Sequence, residues 1–121
     1  MSNIQSRWTE AIELFRTALQ RWQKSKNDAI LLAALTKTYE TVFEYTWKIF
    51  KIAADEAGQE VYSPRDSIKA AAQLKLIDSP ELWNEFLNAR NLSVHDYLGV
   101  SDIDFEKTLK QFDAALNKLG K

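Results

Sequence analysis

The sequence contains no cysteine and only one histidine, His95. Without cysteine the chain can form no disulfide, carries no thiolate nucleophile and offers no cysteine ligand for zinc, a pattern that fits a reducing compartment such as the cytosol. A single histidine argues against a histidine-rich metal site. We therefore expect a protein that needs neither a metal ion nor another cofactor.

Glycine and proline are also scarce, with 3 and 2 among the 121 residues. These residues mark most turns, so the chain has few places at which to reverse direction. Alanine, leucine, lysine, glutamate and glutamine are abundant, and all of them favour helix. The length suits one unit with its own core, so we predict a single helical domain over residues 1–121.

The sequence has no long apolar run and no large excess of either charge. Residues 1–7 lead straight into a charged amphipathic pattern, so we expect neither a signal peptide nor a membrane span, and a cytoplasmic protein. The formal net charge is −1 at pH 7. The field of the whole molecule thus gives no indication of nucleic-acid binding, and any RNA site would have to be a local patch.

Apolar residues recur at spacings of three and four in five segments, which is the period of an amphipathic α-helix. The second segment, from Ala29 to about Ala57, is apolar on two faces and is expected to lie at the centre, with Gly58 ending it. The predicted fold is all-α, an up-and-down antiparallel bundle of about five helices. The other segments run from residue 4 to about 24, from 63 to about 76, from about 80 towards 97, and from 101 to 120.

Residues 88–97 gather Arg90, the amide of Asn91, the hydroxyl of Ser93, His95 and the phenol of Tyr97 behind an apolar helix. Histidine, with an unperturbed pKa of about 6.5, can take or give a proton near neutrality. A guanidinium binds phosphate oxygens in pairs, and a phenol can donate a hydrogen bond or be modified. A lone histidine near a helix end can equally make an ordinary polar contact, and that alternative stays open.

Helical geometry would place these side chains along one polar wall. Successive residues turn by about 100°, so Arg90 and Tyr97 share one face and Asn91 and His95 share another nearby. Cleaving RNA through its own 2′-hydroxyl needs a base, an acid and positive charge on the phosphate. Since each chain has one histidine, a homodimer with two copies around one cleft is the expected catalytic unit.

Two other groups of cations could contact phosphate. Arg65 falls in the first turn of the third predicted helix, where free backbone N–H groups favour anions. Arg21, Lys24 and Lys26 form a second basic group near the end of the first helix. An ordinary ion pair at Arg65 and a solvated face at the second group are the competing interpretations.

The order Arg90, four residues, His95, one residue, Tyr97 resembles the signature of the HEPN superfamily, whose members are all-helical and include many ribonuclease toxins encoded beside a minimal nucleotidyltransferase. Asn91 fits the Arg-Asn pair usual in one branch, the nucleotidyltransferase substrate-binding proteins. The similarity to this branch runs from about Trp8 to residue 97, and the last helix matches only in kind. Three stretches carry most of it: residues 39–51, 63–65 and 76–91.

By this resemblance, Arg90 and His95 correspond to the ribonuclease residues. Tyr97 corresponds to the phenol that the partner nucleotidyltransferase adenylylates to silence the toxin. Two positions depart from the pattern: Asp96 stands where a small hydroxyl residue is expected, and Leu98 replaces an acid. Asp96 would put a negative charge beside the RNA phosphate, which argues against ribonuclease activity.

Three functions remain open at this point. The first is a dimeric, metal-independent endoribonuclease toxin of a two-component, toxin–antitoxin-like system, silenced by adenylylation of Tyr97. The second is a non-catalytic substrate-binding subunit of a two-chain nucleotidyltransferase. The third is an interaction bundle in which the motif is structural. Arg90 and His95 are the catalytic candidates, and Asn91, Ser93 and Arg65 are candidates for substrate binding.

Overall fold

The structure is a computed structural model that describes the backbone of residues 3–96 and 102–121 and the side chains of residues 3–93 and 104–121. These residues contain five α-helices and no strand, packed as a helical bundle, which confirms the predicted all-α architecture. The helices are α1 (Asn3–Lys24), α2 (Ala29–Glu56), α3 (Pro64–Gln73), α4 (Pro80–Asp96) and α5 (Asp102–Lys118).

Helix α2 lies at the centre, as its two apolar faces predicted. It packs against α1, α3 and α4. Its buried Tyr39 also contacts α5, with ring centroids 5.9 Å from Phe105 and 5.0 Å from Phe112. A helix with neighbours on so many sides must be apolar over most of its circumference, because each contact removes a different face from water.

Phe112 of α5 joins four helices in one aromatic core. Its ring lies edge-on to Phe15 of α1, Tyr39 of α2 and Phe86 of α4, with centroids 5.7, 5.0 and 5.1 Å away, and Trp83 of α4 is 5.8 Å away. Edge-to-face pairs of this kind add stability beyond the area they bury. The last helix is therefore an integral part of the core.

Short polar residues that can cap a helix stand before three of the helices in the sequence: Asn27 and Asp28 before α2, Ser63 before α3 and Ser79 before α4. Asp28 is the cap of α2, and its carboxylate accepts two backbone N–H bonds of the first turn. Ser63 and Ser79 each accept one in the same way before α3 and α4, at 3.1 and 3.2 Å. These bonds satisfy N–H groups that have no partner within the helix.

Helices α2 and α5 end at glycines with positive φ, Gly58 (80°) and Gly120 (85°). Helix α3 ends in the same way at a lysine, Lys75, with φ of 63°; the N–H groups of Lys75 and Leu76 donate to carbonyls of the last turn at 3.1 and 2.9 Å. A lysine in this conformation costs about 1 kcal/mol relative to glycine. The predicted end near Leu76 is therefore wrong: with no glycine to mark it, α3 stops at Gln73.

Candidate functional site

The described part of the predicted polar wall lies along the seam between α2 and α4. Glu40 and Glu44 occupy successive turns of α2. Arg90 Nη2 donates to Glu44 Oε2 at 2.8 Å, and Ser93 Oγ donates to Glu40 Oε2 at 3.0 Å. Both bonds involve a carboxylate, which makes them stronger than bonds between neutral groups. Together they fix the C-terminal half of α4 against the centre of α2.

Buried groups hold this half of α4 from the inside. Trp83, Phe86 and Leu87 are 3%, 0% and 4% exposed, as expected for the core face of the helix. The fully buried Tyr39 hydroxyl donates to the Phe86 carbonyl at 2.5 Å. Burial raises the pKa of Tyr39 well above its ordinary value, and the nearby charge of Arg90 acts in the opposite direction. The phenol therefore stays protonated and remains a donor.

Arg90 lines a shallow groove of about 320 Å³ on the outer side of α2. Three cations and two carboxylates surround this groove, so the lining is slightly positive. Lys48 Nζ lies 3.9 Å from Glu44 Oε1, so Glu44 interacts with both Lys48 and Arg90. Such a lining can bind an anion such as a phosphate, provided that the anion competes with the two carboxylates. The other lining residues are Lys37, Glu40, Thr41 and Tyr45.

The remaining motif residues lie at or beyond the end of the described part of α4. Asn91 is exposed, and its Oδ1 accepts a bond from Arg90 Nη1 at 2.9 Å. Ser93 is only 2% exposed, so its hydroxyl is occupied within the fold. The backbone of His95 continues α4, one turn beyond Asn91, but its side chain lies outside the described residues, as does the whole of Tyr97.

Arg65 does not join this groove. It is exposed in the first turn of α3 and lines a separate depression between α3 and α4, together with Lys69 and Asn84. None of the residues lining that depression lines the groove at Arg90. Arg65 and Arg90, which mark two of the three sites suggested from the sequence as phosphate contacts, therefore lie on distinct surfaces of the molecule.

The acids and lysines of α2 are the site residues that sequence reasoning missed. Glu40 and Glu44 lie four positions apart, and therefore on one face, in a helix whose other faces are largely apolar. Lys37 and Lys48 flank them at either end of the same stretch. The sequence shows two acids one helical turn apart beside core positions, but it does not identify the helix that these acids contact.

The described residues offer neither a cluster of metal ligands nor a helix that could span a membrane. No three or more histidine, cysteine, aspartate or glutamate side chains among them are placed to hold a metal ion. Within the same residues, no helix combines the length and the apolar character needed to cross a membrane.

Comparison with known proteins gives a family match, which covers nearly the whole chain. A family model described as "Nucleotidyltransferase substrate binding protein like" matches residues 3–119. The match includes α5, so it extends beyond the resemblance noted in the sequence, which ended at residue 97. A search of curated proteins finds no match. Since the family model spans nearly the full sequence, the chain belongs to the family of nucleotidyltransferase substrate-binding-like proteins.

Proposed function

We propose that this chain is the substrate-binding subunit of a two-chain nucleotidyltransferase, and that it pairs with a minimal nucleotidyltransferase chain that carries the transfer chemistry. The family name supports the pairing. We further propose that residues 1–121 form one HEPN-like domain, which agrees with the single large core that Phe112 links across α1, α2, α4 and α5.

The observation that carries the proposal is the position of Arg90 in the groove on α2. Its guanidinium is held by Glu44 and Asn91, and Lys37 and Lys48 line the same surface. A nucleotidyltransferase acts on nucleoside triphosphates, whose phosphates are recognised by arginine and lysine side chains. An arginine that is already oriented loses little conformational freedom when it binds, which favours affinity.

The test is to mix the purified chain with a minimal nucleotidyltransferase from a neighbouring reading frame of the same genome. We expect a stable complex by size-exclusion chromatography with light scattering, and a higher rate of nucleotide transfer than the enzyme shows alone. Replacing Arg90 with alanine should lower that rate by about tenfold to a hundredfold, which is the effect of removing one charged hydrogen bond. The variant should keep its helical circular-dichroism spectrum.

Arg16→Ala is the matched control, because Arg16 also forms an interhelical ion pair but lies on the seam between α1 and α5. It should leave the transfer rate of the complex unchanged at a temperature where the variant is folded. The proposal is wrong if no complex forms and the enzyme's rate is the same with and without the chain. Equal losses for Arg90→Ala and Arg16→Ala would show that the groove has no specific role.

A second candidate function, a metal-independent endoribonuclease toxin, is favoured by the course of α4. The helix runs without a break through residue 95, which puts Asn91 and His95 one turn apart on the helix that carries Arg90. In this function, Arg90 would contact the RNA phosphate and His95 would move the proton. A homodimer would supply the second histidine, and adenylylation of Tyr97 by the partner would silence the activity.

RNA cleavage by the purified chain, with metal chelated, tests this candidate. Wild type should cleave and be dimeric by light scattering, and His95→Ala should abolish cleavage without lowering the melting temperature. After co-expression with the partner, intact-mass spectrometry should find one adenylate on wild type and none on Tyr97→Phe. A wild-type chain that never cleaves RNA would exclude this function and leave the subunit proposal standing.

A further inference from the structure

A cavity of about 350 Å³ shares no lining residue with the Arg90 groove. It is formed by the connection between α3 and α4, the first turns of α4 and the C-terminal half of α5. Its floor and walls are largely apolar and include Leu76, Leu82, Trp83 and Leu119. A cavity with apolar walls and a few polar groups is the usual form of a small-molecule site.

The charged residues that line this cavity are two lysines, Lys75 and Lys118, and one aspartate, Asp78. Ser79 and Gln111 also line the cavity, so the lining is mostly apolar and carries a net positive charge. Both lysines are exposed, so their ammonium groups can reach a ligand while staying partly hydrated. The complementary ligand has an apolar body of limited size and one negative charge.

The backbone at Lys75 supplies an independent observation. Three helices end with the same pair of backbone hydrogen bonds, and two of them place glycine at the position of positive φ, Gly58 and Gly120. The third places Lys75 there, at φ of 63°, and Lys75 itself lines the cavity, which the end of α5 before Gly120 also borders through Lys118 and Leu119. A residue whose backbone φ would suit glycine better is a candidate for a functional side chain.

We propose that this cavity binds a small amphipathic monoanion, a molecule with an aromatic or aliphatic body and one carboxylate, sulfonate or phosphodiester group. The body lies against Leu82, Trp83 and Leu119. The acidic group lies between the ammonium groups of Lys75 and Lys118. The site shares no residue with the groove at Arg90, so it does not depend on the proposed nucleotidyltransferase function.

The experiment uses 8-anilinonaphthalene-1-sulfonate as the anionic probe and N-phenyl-1-naphthylamine as its uncharged counterpart, both followed by fluorescence with the full-length chain. We expect one saturable site for the sulfonate and weaker binding of the neutral amine. Ala114→Leu, at an exposed cavity-lining position, should abolish binding of both probes by filling the space. If it leaves sulfonate binding unchanged, the probe binds elsewhere and the proposal fails.

Lys75→Gly distinguishes a ligand contact from a structural role, because the two properties should change in opposite directions. Relief of the strained φ should raise the melting temperature by about 3 °C. Loss of the ammonium group should weaken sulfonate binding by about tenfold and leave binding of the neutral amine unchanged. A more stable variant that binds the sulfonate as tightly as wild type would overturn the proposal.

Lys118→Gln tests the second lysine of the cavity, and Lys107→Gln is its matched control. Lys118 lines the cavity, so its replacement should weaken sulfonate binding by about threefold to tenfold with no change in melting temperature. Lys107 is exposed on the same helix and lines a different depression, so its replacement should leave binding unchanged. Equal effects of the two replacements would show that the sulfonate responds only to total charge, which contradicts a defined site.

Discussion

Two seams of the bundle are each joined by an arginine, and they use it differently. Between α1 and α5, Arg16 donates from Nε to Asp113 at 2.6 Å, from Nη1 to the Lys121 carbonyl at 2.6 Å and from Nη2 to Asn117 at 2.9 Å. Each of the three guanidinium nitrogens has an acceptor within the protein. The role of Arg16 is therefore structural.

Between α2 and α4, Arg90 makes one interhelical bond, to Glu44, and one to its neighbour Asn91. It also lines a groove that contains two lysines, Lys37 and Lys48. An ion pair between two helices is therefore not, by itself, evidence of function. The charges around the pair distinguish an arginine that only joins two helices from one that can also bind an anion.

Arg16→Ala should have the largest effect on stability. It removes three hydrogen bonds and leaves a carboxylate that is about two-thirds buried without its partner. We expect a loss of about 1 to 2 kcal/mol in the free energy of unfolding, measured by urea denaturation. If the groove is independent of this seam, the variant should still form the nucleotidyltransferase complex. If the folded variant no longer forms the complex, the two seams do not have separate roles.

Ser93→Ala tests the seam between α2 and α4 without changing the Arg90 side chain. Ser93 is 2% exposed, and its hydroxyl lies within donating distance of Glu40 Oε2 at 3.0 Å and of the Arg90 carbonyl in its own helix at 2.9 Å; Glu40 keeps partial contact with water. We expect a loss of about 1 kcal/mol in the free energy of unfolding. Ser6→Ala, at an exposed position of α1, should change it by less than about 0.5 kcal/mol. Equal values for the two variants would mean that the bond to Glu40 does not stabilise the seam.

Glu106→Gln should have the smallest effect, and that effect should depend on pH. The hydrogen bond from Lys26 lowers the pKa of Glu106, assisted by Gln23, while partial burial opposes the shift. A lowered pKa stabilises the fold above the ordinary glutamate value of 4.5. That stabilisation is lost as the pH falls through the folded-state value.

The variant should therefore melt at a lower temperature than wild type at neutral pH, by an amount that corresponds to about 0.5 kcal/mol for an ion pair with an exposed lysine. The difference should disappear in strong acid, where the carboxyl of wild type is protonated. A difference that persists unchanged in acid would show that Glu106 acts through packing. Glu85→Gln, at an exposed position of α4, is the control and should melt at the wild-type temperature at neutral pH.

Much of the fold could be predicted because helical periodicity is local. The stripe of α1 containing Trp8, Phe15 and Trp22 was visible at spacings of seven, and all three side chains are buried. The caps at Ser63 and Ser79 were equally visible, since a capping side chain bonds the N–H of a residue only three positions later. The end of α3 was missed because Lys75 adopts a conformation that the sequence normally signals with glycine.

The candidate site could be predicted only in part. The motif on α4 was found because its residues lie within ten positions of one another. The bond from Arg90 to Glu44 joins residues 46 positions apart, and the bond from Ser93 to Glu40 joins residues 53 apart. No local pattern indicates which acids of α2 face α4, because that depends on the rotation of each helix about its axis, which core packing sets.

The sequence alone determined five amphipathic helices, most of their ends, and a cluster of polar residues on the fourth, because these features depend on neighbours within one or two turns. Only the tertiary structure decided that two acids of α2 hold Arg90 and Ser93, that Arg65 lies on another surface, and that Lys75 and Lys118 line one cavity. Those relations arise when packing of the aromatic core fixes the helices against one another, which brings together residues that the chain keeps far apart.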